Sequence, residues 1–208
     1  TDISKAFLQG ITYKELAELT GEPLREVNFY LPVYCIPMIR KLKGFETFDP
    51  TIEVLHCVKP GTGCTDAPRC FSMKLATVTR DQCNMQPCSI DGELCFLHMQ
   101  GQLQCMMAKH VDDLKLAGQK DTIIWILTKI EKVFGKLKIE WNEFKNCGIR
   151  HVQNPTDYSI TLDQNDYIKG IKLVEHKDMI SADPEELCST EVHAQYWSVL
   201  GAIAFSLL

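Results

Sequence analysis

The segment CMMAKHVDDLKLAG, residues 105–118, constrains the fold of this chain more than any other. Two apolar runs flank a pair of adjacent aspartates, Asp112 and Asp113, at a point where a tight connection between strands ordinarily uses Gly or Asn. The pattern predicts a β-hairpin that carries carboxylates at its tip. These carboxylates either face water or bind a cation. Because Asp is a common turn residue, the hairpin alone favours the solvated interpretation.

Helices and strands mix along the rest of the chain without a regular βαβ rhythm. ELCFLHM and QLQCMMAKHV predict neighbouring strands around a turn at Gly101, and YKELAELTG predicts a short helix. DTIIWILTKIEKVFGKL has the clearest helical periodicity, with Asp121 placed to cap its start. We therefore expect an α+β fold.

The net charge of −5, from 22 Lys+Arg against 27 Asp+Glu, argues against a free-standing nucleic-acid-binding domain. No run of about 18 apolar residues occurs, so no membrane span is expected. The chain begins with Thr, shows no signal-peptide pattern and stops within the apolar run YWSVLGAIAFSLL. We expect an intracellular fragment of a longer polypeptide.

Ten cysteines are many for 208 residues, but they form no C-x-x-C pair. Reduced cysteines that pack as small apolar residues are the simplest interpretation. Loose groupings, His56 with Cys57 and Cys83 with Cys88, leave open a cysteine-rich metal-binding protein. The cysteine positions are 35, 57, 64, 70, 83, 88, 95, 105, 147 and 188.

Three aspartates are candidates for a metal site. Asp112 and Asp113 follow an apolar strand, and Asp2 precedes the apolar run AFL. Carboxylates at strand ends can converge from distant parts of a chain, and Mg²⁺ prefers such oxygen ligands together with substrate phosphates. Two ions about 3.5–4 Å apart can activate a hydroxyl and stabilise a leaving pyrophosphate. Adjacent residues of a strand point to opposite faces, so Asp112 and Asp113 bind equally only if the turn twists.

Several blocks, from TDISKAFLQG through HVDDLKLAG to YWSVLGAIAF, together resemble the ordered blocks of the reverse transcriptase of copia-type retrotransposons. TDISKAFLQG resembles the first catalytic block, VKPGTGCTDAPRCF resembles the Lys-x-x-Tyr-Gly-Leu-x-x-Ala-Pro-Arg-x-Trp segment, and HVDDLKLAG resembles the Tyr-Val-Asp-Asp hairpin. CGIRHV with YSITLDQNDYI and the later YWSVLGAIAF are similar to blocks that follow in the family. The resemblance covers residues 1–205 and implies a right-hand polymerase palm, an antiparallel sheet backed by helices.

The resemblance implies RNA-directed DNA polymerase activity with two Mg²⁺ ions, for which Mn²⁺ is a possible substitute. Asp2 and Asp112 would be the principal metal ligands, helped by the backbone carbonyl of Ile3, and Asp113 would be a supporting carboxylate. All three aspartates would then be catalytic. Partners would be an RNA or DNA template with its primer, deoxynucleoside triphosphates and the rest of a Pol polyprotein, in a cytoplasmic particle or the nucleus.

Further residues take their expected roles from the same resemblance. Phe7, Gly63 and Arg69 would bind the incoming nucleotide, although the residues alone favour a core position for Phe7. His110 and Gly148 would contact the primer. The palm would comprise residues 1–10 and 61–151, part of the fingers residues 11–60, and the start of the thumb residues 152–208.

The chain departs from the family pattern beside the expected nucleotide pocket. His110 replaces Tyr, Thr62 and Cys64 replace Tyr and Leu around Gly63, and Phe71 replaces Trp. Loss of large side chains removes packing surface, which costs about 2–5 kcal/mol each where the originals are buried. A catalytically inactive, decaying relic of such an element is therefore the alternative.

Overall fold

The structure is a computed structural model that describes residues 1–146, 148–175 and 187–206. Cys147 lies outside the described residues, and so does most of SADPEEL, residues 181–187, whose composition predicts an acidic loop. The chain divides into two compact units, Thr1–Ile139 and Glu140–Leu208.

The described residues form six α-helices and nine β-strands. The helices are α1 Tyr13–Thr20, α2 Ile36–Ile39, α3 Ala67–Asp81, α4 Lys120–Phe134, α5 Asn165–Lys169 and α6 Thr190–Phe205. The strands are β1 Asn28–Phe29, β2 Leu55–His56, β3 Gln86–Pro87, β4 Leu94–Met99, β5 Gln102–His110, β6 Asp113–Gly118, β7 Glu143–Asn146, β8 Ile149–Gln153 and β9 Ile160–Asp163.

The first unit is built on an antiparallel sheet with the strand order β3-β4-β5-β6. Side chains in the second half of β5 alternate, because successive residues of a strand point to opposite faces. Cys105, Met107 and Lys109 are buried, whereas Met106, Ala108 and His110 are exposed. One face of the sheet is therefore packed and the other is open to solvent.

Helices α3 and α4 cover the packed face of the sheet. Phe71 and Leu75 of α3 join Ile126 and Ile130 of α4 in the main core. The rings of Phe71 and Phe134 meet edge to face with centroids 5.7 Å apart. Each such buried side chain contributes about 1.5–3 kcal/mol through removal of its apolar surface from water, so this layer fixes the sheet.

The helix predicted at residues 121–137 is confirmed as α4, with a correction at each end: it stops at Phe134, and its start differs as well. Its apolar stripe is buried, and Gly135, with φ +82°, follows the last helical residue. The prediction that Asp121 caps the start is wrong. The helix begins one residue earlier, at Lys120, and its N-cap is Gln119, which makes no side-chain capping bond. Asp121 instead lies in the first turn, where a carboxylate favours the positive end of the helix dipole.

The short helix predicted at YKELAELTG is confirmed as α1. The Thr12 hydroxyl accepts from the Glu15 backbone N–H at 3.1 Å, while the Thr12 backbone N–H donates to the Glu15 carboxylate at 2.7 Å. Such a reciprocal capping box satisfies two backbone donors at the helix start. Gly21 ends the helix with φ +72°.

Two predicted elements are shorter than expected. The alternation of TIEVLHCVK, residues 51–59, predicts a strand, but it is reduced to β2, because the Asp49 carboxylate accepts from the Thr51 backbone N–H and hydroxyl and so stabilises a turn. The segment DQNDYIKGIKLV predicts a longer helix, but it is reduced to α5, which ends at Lys169 with Gly170 as its C-cap.

The second unit contains the antiparallel sheet β7-β8-β9 and helix α6. Arg150 links the three strands, since its guanidinium donates to Glu143 and to Asp163. The rings of Phe144 and His151 stack with centroids 5.0 Å apart. With the first unit, this confirms an α+β fold of antiparallel sheets and helices. Within the described part of the chain, no helix is long and apolar enough to cross a membrane.

Candidate functional site: a carboxylate corner

The predicted hairpin is present, with a two-residue loop. Its closing pair is His110 and Asp113, so the loop is Val111 and Asp112. Val111 has φ +56°, a region in which a β-branched residue is a genuine outlier. A loop of this length normally places Gly or Asn at such a position. The strain, about 1–3 kcal/mol, is of the kind found at functional sites.

Backbone pairing brings Asp2 to this hairpin. The Ile3 N–H donates to the Asp112 carbonyl at 3.1 Å, and the Leu114 N–H donates to the Thr1 carbonyl at 2.7 Å. These bonds leave Asp2 and Asp113 directly opposite each other in an antiparallel bridge. Opposed residues of antiparallel strands have their side chains on the same face, so the carboxylates of Asp2 and Asp113 are neighbours.

The other side of Asp2 is also paired. Its backbone N–H donates to the Lys138 carbonyl at 3.2 Å, and the Lys138 N–H donates to the Asp2 carbonyl at 3.4 Å. The next residue, Ile3, is completely buried in the main core. Backbone hydrogen bonds therefore hold the Asp2 segment on two sides, and the buried Ile3 next to it packs in the core. We call Asp2, Asp112 and Asp113 the carboxylate corner.

The carboxylate corner lies at the open face of the sheet. Asp113 pairs with the exposed His110, and the following residue, Leu114, is buried on the packed face. Asp2 is exposed and Asp112 is half-buried. Solvent-accessible carboxylates are suitable ligands for Mg²⁺, which usually keeps several waters. Among the described residues, however, no three His, Cys, Asp or Glu side chains are already arranged to hold a metal ion.

Phe7 lies four residues after Ile3, in the 3-10 turn Ala6–Gln9. Its ring is half-buried and packs against the main core. This position agrees with the core interpretation of Phe7. Phe7 is also close to Asp2 of the carboxylate corner along the chain, and its ring is partly accessible.

Gly63 lies in the loop that leads into α3. Its φ of +93° suits glycine, and a Cβ built there would meet no atom within 4 Å. Glycine therefore suits this position because of its backbone conformation, and no other segment approaches closely enough to exclude a side chain. Thr62 beside it is exposed and Cys64 is half-buried.

Arg69, in the first turn of α3, contacts a carboxylate of the same unit. Its Nη1 donates to Glu22 Oε2 at 3.0 Å and its Nη2 donates to Glu22 Oε1 at 2.7 Å. The guanidinium lowers the pKa of the Glu22 carboxyl. The described contacts of Arg69 hold local structure, and its contact with a nucleotide stays a prediction.

A second ion pair lies beside the first. Arg25 donates through Nη1 to the carboxylate of Asp66, the N-cap residue of α3, whose side chain makes no capping bond. We call residues 22–25 the arm. The arm thus contributes one carboxylate and one guanidinium, and the start of α3 contributes the opposite charges.

The two residues expected at the primer lie in different units. His110 is exposed at the end of β5, next to the carboxylate corner. Gly148, in the turn between β7 and β8, has φ +80°, and a Cβ there would lie 3.6 Å from the Phe205 ring. Contact of either residue with a primer stays a prediction.

Sequence reasoning missed a buried lysine next to the hairpin. The Lys109 side chain is only 4% exposed, and its Nζ lies 3.6 Å from Glu93 Oε2. The signal was available, because Lys109 is in phase with the apolar Cys105 and Met107 along β5. A charged residue in phase with an apolar strand face predicts a buried charge with an ion-pair partner at its end.

A buried hydroxyl near the start of α3 was missed as well. Tyr13 is 3% exposed, and its Oη has no hydrogen-bond partner within the described part of the chain. Burial raises the pKa of Tyr13, and Cys64 and Asp66 raise it further.

The nine described cysteines are free thiols. Cys70, Cys83, Cys95 and Cys105 are buried. Burial raises the pKa of Cys83 and of Cys105 from an ordinary value of 9.0 to about 11. These two thiols are protonated at neutral pH and pack as small apolar groups.

Comparison with known proteins finds no match of significance: no family model, no curated protein and no solved structure aligns with this chain. The resemblance to copia-type reverse transcriptases stays a prediction. It rests on the sequence blocks alone.

Proposed function

We propose that this chain carries the palm of an RNA-directed DNA polymerase of the copia type, with parts of the fingers and thumb. One observation carries the proposal. Asp2 is bridged to Asp113, 111 positions along the chain, and the Asp112 carbonyl accepts the next amide, that of Ile3. Backbone pairing thus brings Asp2 and Asp113, from two distant blocks, to one end of an open sheet face, with Asp112 next in the chain. Template-directed nucleotidyl transfer to a primer 3′-end needs carboxylates from distant blocks at one site.

Each member of the carboxylate corner has a role in this proposal. Asp2 and Asp112 are the principal metal ligands, the Ile3 carbonyl assists, and Asp113 supports them. When bound, two Mg²⁺ ions, or Mn²⁺, would activate the 3′-hydroxyl and neutralise charge on the leaving pyrophosphate. The corner supplies the negative charge that holds such ions, and its backbone pairing fixes where that charge lies.

The open face of the sheet is the proposed path of the primer and template. It ends at His110, whose ring is exposed and can stack on or donate to a primer nucleotide. Phe7, Gly63 and Arg69 are proposed for the nucleoside triphosphate, and Gly148 for the primer. The rest of a Pol polyprotein, in a cytoplasmic particle or the nucleus, would supply the basic surface that an acidic chain lacks.

The alternative of an inactive relic has one specific observation in its favour. Arg69, expected near the nucleotide, is occupied by Glu22 instead. For the other alternative, a cysteine-rich metal-binding protein, no specific observation speaks in favour; the lack of a group of three metal-ligating side chains among the described residues applies to it and to the carboxylate corner alike.

Metal binding by the full chain tests the proposal without a substrate. Mn²⁺ affinity would be measured by water-proton relaxation for the unaltered chain, Asp113→Asn and Asp2→Asn. We expect each substitution to weaken binding at least about tenfold, because one of a few carboxylate ligands is lost. Asp121→Asn is the matched control, since it removes the same charge from the first turn of α4. Equal affinity in all four proteins would contradict the proposal.

A further inference from the structure

The arm and the start of α3 are joined by two crossed ion pairs. Glu22 pairs with Arg69 and Arg25 pairs with Asp66. These contacts link residues 41 and 47 positions apart in sequence. Residues 22–25 belong to no helix or strand, so these pairs hold side chains of an irregular segment.

The Glu22 contact has the geometry with which arginine binds phosphate. Two parallel N–H groups of Arg69 meet the two carboxylate oxygens at 3.0 and 2.7 Å. A guanidinium offers the same pair of donors to a carboxylate and to a phosphate group. The Glu22 carboxylate therefore takes up the donors that a phosphate would use.

We propose that Glu22 is a built-in competitor that keeps phosphate-type anions off Arg69 until its side chain is displaced. The inference rests on the proposed function only where it names the anion as the triphosphate of an incoming nucleotide. Competition between a carboxylate and a polyphosphate for one guanidinium is independent of any catalysis.

The competitor is easily displaced. The Glu22 and Arg69 side chains are 50% and 47% exposed, and exposed ion pairs contribute little because water and salt screen them. A polyphosphate carries several charges and three or more acceptor oxygens, so it wins against a single carboxylate once its concentration is sufficient.

The neighbouring ion pair, Arg25 with Asp66, determines which side chain an anion displaces. Asp66 is the residue before α3, three positions before Arg69 in the chain. Arg25 neutralises its carboxylate. Only the Glu22 side chain has to leave, while Arg25 stays on Asp66. Loss of Arg25 would uncover a negative charge and oppose the anion.

Binding of tripolyphosphate to the full chain, measured by calorimetry in metal-free buffer, tests the inference. Glu22→Gln should bind tripolyphosphate about three- to fivefold more tightly than the unaltered chain, which corresponds to loss of one exposed ion pair. Arg25→Gln should bind it more weakly. Glu18→Gln is the matched control, because it removes one exposed carboxylate from α1, where Glu18 pairs only with Lys14 among the described ion pairs.

Two further variants separate competition from a general charge effect. Arg69→Gln combined with Glu22→Gln should abolish the gain, and so should the exchange Glu22→Arg with Arg69→Glu, which preserves an ion pair. The inference is overturned by an equal gain in Glu18→Gln, by no gain in Glu22→Gln, or by a gain that survives loss of Arg69. Since no metal, template or primer is present, the outcome is independent of the Mn²⁺ measurement that tests the proposed function.

Discussion

The carboxylate corner and the arm are both built from charged residues, but they are held in different ways. Backbone hydrogen bonds to Asp112 and Lys138, together with the buried Ile3, fix Asp2 in the corner. Side chains alone make the described contacts between the arm and the start of α3, and three of these four side chains are about half exposed. The positions of the corner carboxylates are therefore set by the fold, whereas the contacts of the arm depend on salt and on competing ions.

The difference shows how a fold separates fixed from displaceable charges. The corner cannot rearrange without breaking the backbone pairing of Asp2 with Asp113 and Lys138, so the places of its residues are fixed. The arm can release Arg69 without disturbing a strand or a helix. Perturbations of the sheet should therefore affect stability strongly, and perturbations of the arm should affect it little.

The largest effect is expected for Gly118→Ala at the end of β6. A Cβ at Gly118, where φ is +157°, would lie 2.3 Å from the Gln104 carbonyl oxygen and 2.8 Å from the Cys105 Cα. Strand β5 has to shift, and we expect a loss of about 3 kcal/mol or more in the free energy of unfolding. Urea unfolding measures it. Gly92→Ala is the control, because a Cβ there meets nothing within 4 Å. An equal, small effect of both would show that the pairing of β5 and β6 is loose.

The next effect is a fall in stability at alkaline pH. The folded-state pKa of Cys83 and Cys105 is about 11, above the ordinary value of 9.0, because burial disfavours the thiolate. Below pH 9 both thiols are protonated in the folded and unfolded states. Between pH 9 and 11 the unfolded chain releases protons that the folded chain retains, so stability falls, by about 2–3 kcal/mol per thiol at most.

Urea unfolding at pH 8 and at pH 10.5 measures this loss. Val or Ala at positions 83 and 105 should remove most of the pH dependence, whatever the substitutions cost at pH 8. A loss of the same size in the substituted protein would assign it to other groups, such as lysines of the surface.

A smaller effect is expected for Thr12→Ala at the start of α1, the helix that precedes the arm. The substitution removes the hydroxyl that accepts from Glu15 N–H and should cost about 1 kcal/mol in the free energy of unfolding. Hydrogen bonds from Thr12 lower the pKa of Glu15, so the contribution of its carboxylate is present at neutral pH and is lost as pH falls through that lowered pKa.

Thermal unfolding at pH 7 and at pH 3 checks both parts of this prediction. Thr77→Ala, an exposed threonine within α3, is the control and should leave stability nearly unchanged. If Thr12→Ala behaves like Thr77→Ala at both pH values, the capping box does not stabilise α1.

The smallest effect on stability is expected for Glu22→Gln in the arm. Its ion pair with Arg69 is exposed, so the midpoint of thermal unfolding should not change measurably at 150 mM salt. A clear fall in the midpoint would show that the arm is a structural element like the corner and would remove the contrast between the two regions.

The sequence predicted the elements whose local signals agree with their tertiary contacts. The hairpin, α1 and α4 have strong periodicity or turn chemistry, and all three are present. The strand predicted at 51–59 failed because a local Asp49 turn competed with it. The cap predicted at Asp121 lies two residues after the observed cap, Gln119, which is within the usual uncertainty of helix ends.

The site was predictable only in part. Proximity of Asp2 to Asp113 was an expectation from a family resemblance, and its backbone pairing could not be derived from residues 111 positions apart. The Arg69 contact with Glu22 was not predictable, since side-chain pairing across 47 positions leaves no periodic signal. The buried Lys109 could have been predicted from the alternation of β5.

Primer extension tests the central claim most directly. Residues 1–208 would replace the corresponding segment of an active copia-type reverse transcriptase, and extension on an RNA template with Mg²⁺ would be compared with the same graft carrying Asp112→Asn. We predict extension by the unaltered graft and its loss in the Asn variant. Extension that persists in Asp112→Asn, or none from a folded unaltered graft, would contradict the claim that the carboxylate corner is a working polymerase site.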